Sequence, residues 1–343
     1  MNNIIKIGAA VLVIGAVAAA AFMINKSADD FDETTENDTI FVFKKNTTLP
    51  YDITVFADDG KTADITPAMW EVTAPDGKSL YMLGSMHVLT KECYPLPDKI
   101  KTAFEGCDKF ACEVNNTSGN PLSNTDAHSP KLPEGDTLKA HLSDEQYKLL
   151  SDYLSAHGRN VADFDSFAPW YVLSELEEPA TSLQADGFTL DANIGLDRVL
   201  QISANIAGKE ILELESPQSR ADLFPSMSDG VAAAAIEQSC RTDEAAAKKK
   251  LSEQFAAWKT GDLDKIESIS YSVEGVSDES VPLLEEYNKI FIIDRNRLMT
   301  DRIEEFLSGS DKVFVIAGAA HFTGSEGIPA MLEKDGYKVE RVQ

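Results

Sequence analysis

Residues 81–90, "YMLGSMHVLT", carry an apolar run into Gly84 and set a histidine, His87, three positions later. Residues 313–324, "VFVIAGAAHFTG", repeat the grammar, with an apolar run, Gly318, and then His321. Each run reads as a short buried strand, and its glycine lets the backbone turn away sharply and lets a ligand approach closely. A GxxH step at that point presents an imidazole at the strand's mouth. "KFACEV", residues 109–114, ends in the same way on Glu113. Ligands of open α/β sheets gather beyond the carboxyl ends of the strands, so His87, Glu113 and His321 form the candidate site.

Outward from the first unit, "MWEVTAPDGKSLYMLGSMHV" gives two apolar runs joined by Pro75-Asp76-Gly77, turn chemistry that predicts a β-hairpin. A short helix ending near Gly106 precedes "KFACEV". The middle of the chain reads as helical. Ser143 and Gln146 make a capping box for a helix to about Ala156, and further helices are expected over roughly 168–178, 190–207, 230–240 and 243–259. "KEILELE", 209–215, is strand-like and ends on Glu215. A long helix is expected over 280–308, another after Gly327, and "YKVERV" closes the chain as a strand. Strands flanking helices predict a mixed α/β (α+β) fold, a central sheet with two strand–GxxH units and a helical insertion or cap.

The chain of 343 residues holds 31 Lys and Arg against 57 Asp and Glu, a formal charge of −26. That surplus repels phosphate backbones and anionic lipid surfaces and excludes nucleic acid as a partner. Residues 1–25 contain an uncharged apolar stretch with an alanine run, expected to be a transmembrane anchor or a cleaved signal peptide. Either alternative exports the rest, anchored by its N-terminal helix or secreted. "KSADDFDETTENDTI" opens an acidic, disordered linker over 26–45, ahead of a folded domain over 46–343. Cys93, Cys107, Cys112 and Cys240 form no CxxC pair and no disulfide framework.

Two imidazoles and a carboxylate are a donor set for a divalent metal, manganese, cobalt, zinc or iron, with positions left open for water and substrate. A metal in such a set activates water against a carbonyl. Without one, histidine and glutamate still serve as general acid and base. His128, His141 and His157 lack the strand–glycine context.

The segments "LYMLGSMHVLTKECYPLPDKIKTAFEGCDKFACEV", "GLDRVL", "EILELES", "DRNRLMTDRI" and "KVFVIAGAAHFTGSEGIPAMLEKDGYKV" together resemble the TraB/GumN family, part of one superfamily with the Tiki proteases. The resemblance covers most of residues 68–343. It departs at Ser85-Met86, where many relatives carry Thr-Ile. Because the Tiki relatives are metal-dependent proteases with two GxxH motifs and an acidic residue, it implies His87 and His321 as metal ligands and Glu113 as ligand or base. It also implies catalytic or Glu113-fixing work for Arg295, and substrate contacts for Gly84, Gly318 and Asn296. Asp197 of "GLD" and Glu215 of "ELE" read as a helix cap or structural salt bridges. The function so implied is an extracytoplasmic metal-dependent peptidase acting on a peptide or protein, with a non-catalytic protein that sequesters a signalling peptide as the alternative.

Overall fold

A computed structural model describes residues 48–115, 129–177 and 182–342. The expected anchor or signal over 1–25, the acidic linker over 26–45, and His128 lie outside the described residues. Among the described residues no helix is long and apolar enough to cross a membrane.

Strands β1 (Met69–Thr73) and β2 (Ser79–Ser85) form the expected hairpin, Thr73 opposite Ser79 and Met69 opposite Leu83. Its turn places Gly77 at φ +89°, a left-handed conformation that favours glycine. Then come α1 (Asp98–Glu105), β3 (Lys109–Cys112), α2 (Asp144–Ala156) and α3 (Pro169–Leu176). Ser143 accepts from the Gln146 N–H, and the Gln146 side chain accepts from the Ser143 N–H, completing the capping box. A small hairpin, β4 (Ser182–Gln184) and β5 (Thr189–Asp191), leads into α4 (Leu196–Ile206). β6 (Glu210–Glu213), α5 (Pro217–Ala221), α6 (Asp229–Arg241), α7 (Glu244–Thr260), α8 (Leu263–Ser270), α9 (Val281–Asn288) and α10 (Asp294–Ser308) follow. The chain closes with β7 (Val313–Gly318), α11 (Ile328–Lys334) and β8 (Lys338–Arg341).

Six strands form one mixed sheet in the order β6-β3-β7-β2-β1-β8. β6, β3, β7 and β2 run parallel, while β1 is antiparallel to both β2 and β8. A parallel strand buried on both faces reads as a continuous apolar run, and β7, "VFVIAG", is such a run. Its alternate side chains divide between two cores. Phe314 and Ile316 join Leu83, Phe110 and the helical layer. Val313, Val315 and Ala317 join Met82, Ala111 and the inner faces of α10 and α11, through Met299, Ile303, Ile328 and Leu332. The helical layer is built around α6, which packs on α2, α3 and α9.

Two features differ from the pattern in the sequence. The helix expected over 190–207 begins with strand β5 and a 3-10 turn before α4. The long helix over 280–308 is interrupted by a π-helical turn, Lys289–Ile293. An α-helical period cannot register that extra residue, and such turns are frequent at functional sites. This one ends two residues before Arg295.

At the end of α3, Glu177 is buried and accepts hydrogen bonds from the Tyr287 hydroxyl on both carboxylate oxygens, at 3.0 and 3.1 Å. Burial pushes its carboxyl from 4.5 up to about 8, against a smaller lowering by Tyr287. Between those values the folded chain keeps a proton that the unfolded chain has released. The stability this contributes is therefore complete below the unfolded value and falls as pH rises toward about 8, at up to about 1.4 kcal/mol per pH unit. Thermal melts from pH 5 to 8 are expected to show a steeper decline for the natural protein than for Glu177→Gln. Parallel curves would contradict the assignment.

Candidate active site

All four parallel strands deliver an ionisable side chain at the same edge. His87 lies two residues beyond β2, Glu113 directly beyond β3, Glu215 two beyond β6 and His321 three beyond β7. The register brings Ser85 opposite Gly318 and Cys112 opposite both Ile316 and Glu213. Pairing continues past the strand ends, from the Leu214 N–H to the Cys112 carbonyl at 2.9 Å and from the Glu215 N–H to the Glu113 carbonyl at 3.0 Å.

Glu113 is the centre. Its Oε1 accepts the Gly318 backbone N–H at 2.8 Å, and its Oε2 accepts Nη2 of Arg295. His87 Nε2 lies 3.9 Å from Oε1, and His321 Nε2 lies 4.0 Å from Oε2. Gly318 is the floor between them. A β-carbon there would stand 3.5 Å from both Glu113 Oε1 and His87 Nε2 and 3.7 Å from the His321 ring, so a longer side chain would fill the space the three share. Gly84 has a different task. It is buried, a β-carbon on it would press on Ala319 at 3.3 Å, and its carbonyl accepts Nε1–H of Trp258 at 3.0 Å.

The two imidazoles are oriented from behind. His321 Nδ1 is 2.6 Å from Asn296 Oδ1, while Asn296 Nδ2 donates to the Glu326 carbonyl at 2.7 Å. With the amide nitrogen spent on that carbonyl, its oxygen is the acceptor. His321 therefore carries its proton on Nδ1 and turns the Nε2 lone pair toward Glu113. Asn296 is fully buried and its amide is occupied by this task. Burial, with Arg295 beside it, presses His321 down to about 3, so its ring is neutral at ordinary pH. His87 Nδ1 lies 2.8 Å from Asp197 Oδ1, an ion-pair distance without in-line hydrogen-bond alignment. Burial lowers its affinity for a proton, but the Asp197 and Glu113 carboxylates outweigh that and leave it raised.

A buried charge lattice supports Glu113. Arg295 Nε and Nη2 fork onto Glu215 at 2.8 and 2.7 Å, while Nη1 donates to the Phe291 carbonyl inside the π-turn at 2.9 Å. Arg220 Nη1 stands 3.6 Å from both Glu113 Oε2 and Glu215 Oε2. Burial would raise Glu113, but Arg295, then His321 and Arg220, hold it well below the usual carboxylate range. Burial and the neighbouring Arg295 bring Arg220 down to about 10. A fixed anion flanked by imidazoles can accept a proton or share a cation. Both Nε2 atoms and the Glu113 oxygens are available to hold a metal. Their gaps exceed the about 3.3 Å between two ligands of a tetrahedral ion. Among the described residues no three His, Cys, Asp or Glu side chains already form a cage.

The structure thus brings together His87, Glu113, Arg295, Asn296, Gly318 and His321. It holds His141 elsewhere, between Asp136 and Asp229 at 2.9 and 2.6 Å, and His157 on the Tyr153 carbonyl at 2.7 Å. Asp197 and Glu215, read from sequence as a cap or structural salt bridges, form ion pairs with His87 and Arg295 beside the candidate site. Arg220 escaped the sequence reading, because an arginine on a short polar helix carries no signal that distinguishes it from a solvated surface charge.

The TraB/PrgY/gumN family profile matches residues 68–341. Among curated proteins, the Uncharacterized protein YbaP of Escherichia coli (strain K12) is 24% identical over 160 residues, covering 46% of this chain and 56% of that protein. The protein of the same name from Shigella flexneri matches with the same identity and coverage. The match therefore spans little more than half the length of these relatives. No solved structure matches the chain.

Three substitutions test the geometry. A β-carbon on Gly195 would lie 2.1 Å from the His87 carbonyl oxygen, so Gly195→Ala is expected to cost about 1–3 kcal/mol in urea unfolding as the backbone yields. Arg295→Met removes the fork shared by Glu113 and the buried Glu215, leaving them the Arg220 guanidinium at 3.6 Å, and is expected to cost about 3–5 kcal/mol. Adding Glu215→Gln should recover part of that loss, whereas strictly additive losses would show that the pair is not coupled.

Proposed function

The chain belongs to the TraB/PrgY/GumN family, and from that footing we propose that it is a metal-dependent hydrolase, a peptidase acting on a peptide or polypeptide outside the cytoplasm. One observation carries the metal site. Two imidazoles, His321 buried and His87 partly exposed, each with a side chain within 2.8 Å of its Nδ1, turn their Nε2 atoms onto a single carboxylate. For His321 the two facing atoms are both acceptors, an arrangement that calls for a cation or a donor between them. The peptide as substrate class rests on the resemblance to the Tiki proteases. Export rests on the apolar segment within residues 1–25.

His87 Nε2, His321 Nε2 and an oxygen of Glu113 would hold the ion. A bound manganese, cobalt or zinc would supply Lewis acidity toward the scissile carbonyl. The chain's own groups do the rest. Glu113, kept ionised by Arg295, takes the proton of the attacking water when it is not itself a ligand. The Gly318 N–H keeps Oε1 in place. Arg295 is spent on two carboxylates and a carbonyl, so its contribution is to fix Glu113. Asn296 holds His321 so that it presents a lone pair rather than a proton.

The test is the metal content of the full chain after equilibration with manganese, cobalt or zinc separately, followed by mass spectrometry of a peptide mixture. About one ion per chain, lost in His87→Ala/His321→Ala together with peptide cleavage, is the expected result. Saturable peptide binding with neither metal nor product would replace the hydrolase with the sequestering protein.

A further inference from the structure

The first GxxH loop is seated by a tripeptide more than one hundred residues downstream. Three contacts of three kinds hold it. Gly195 packs its α-carbon so closely on His87 that a β-carbon would stand 2.1 Å from the carbonyl oxygen and 2.9 Å from the His87 α-carbon. The Leu196 N–H donates to the Met86 carbonyl at 3.0 Å. Asp197 sets Oδ1 2.8 Å from His87 Nδ1, and the Ser85 hydroxyl donates to the same oxygen at 3.4 Å. The His87 Nδ1 is buried and makes no in-line hydrogen bond, and among the described residues the Asp197 carboxylate lies at ion-pair distance from it. Asp197 also lies in the first turn of α4, where the helix dipole favours an anion.

We infer that Gly195-Leu196-Asp197 is an orienting clamp for His87, in which Asp197 holds the proton on Nδ1 and so delivers Nε2 as a metal donor. The inference rests on the metal-site reading above. The two histidines are then unlike each other. His321 is backed by a neutral amide, whereas His87 is backed by a carboxylate, which makes its ring the more basic donor. An amide at position 197 could donate to Nδ1 and select the other tautomer, with hydrogen on Nε2 and no lone pair for the ion. Asp197 is therefore a positioning residue, acting through His87. Its side chain fills nearly the same volume as asparagine, so folding and tautomer can be separated.

The experiment has two arms on the full chain. In the first, nitrogen-15 NMR of histidine-labelled, metal-free natural protein reads the His87 tautomer, with hydrogen on Nδ1 expected; hydrogen on Nε2 would overturn the clamp without recourse to any variant. In the second, zinc affinity is measured by chelator competition for the natural protein and for Asp197→Asn. The variant is expected to bind about 10–100-fold more weakly, with a metal-free melting temperature lowered by no more than about 4 °C, the loss of the anion from the helix's first turn. Equal affinities would overturn the inference and leave the metal-site reading standing. Natural protein that binds no zinc, manganese or cobalt would sink that reading, and with it the delivery of Nε2 to an ion.

Discussion

Parallel pairing of β2 with β7, Ser85 opposite Gly318, is the constraint on which the site depends. Parallel neighbours leave the sheet at the same edge, so two loops separated by more than two hundred residues present their imidazoles side by side. An antiparallel pairing would send His87 and His321 to opposite ends of the sheet. β3 lies on the other flank of β7 and adds Glu113, and β6 beyond it adds Glu215. The positions of these four side chains are thus consequences of one strand order. The hairpin partner β1 and the edge strand β8 contribute none.

Glu113 is the electrostatic consequence of that order. A carboxylate buried in this position is costly unless it is paired and hydrogen-bonded. Arg295 and the Gly318 N–H meet the requirement, and Glu215 occupies the remainder of the Arg295 fork. The lattice of two glutamates and two arginines is held by elements that are distant in sequence: β3, β6, α5 and the start of α10. Such a lattice is rigid because every member has a partner it cannot leave without exposing a buried charge. The π-turn before α10 belongs to the same design, since the carbonyl of Phe291 within it receives the third branch of Arg295.

Around this centre, each histidine is placed by a side chain that does not itself contact Glu113. Asn296 is fixed by the Glu326 carbonyl, and Asp197 by the Ser85 hydroxyl and the closeness that Gly195 permits. Trp258 adds a restraint at the entry to the first loop by donating to the Gly84 carbonyl. The α7 helix that bears it thereby ties the helical layer to the sheet at the loop that carries His87. Packing, rather than metal or substrate, already sets both ring orientations.

Much of this was legible in the residues themselves. Apolar runs of four to seven residues ending in glycine or an acid identified β2, β3 and β7, and with them His87, Glu113 and His321. The Ser143–Gln146 cap and the Pro75-Asp76-Gly77 turn also emerged where local chemistry demanded them. These features are encoded within a few neighbouring positions, and local chemistry can be read from a string. Strand order, direction and register are not local, and they alone decide that Glu215 and Arg220 stand beside Glu113, that Arg295 is a buried fork, and that Asp197 faces His87. A charged side chain looks the same in sequence whether water or a buried partner satisfies it; only the tertiary structure decides which, because the energy of a charge depends on what the fold has placed within a few ångströms of it.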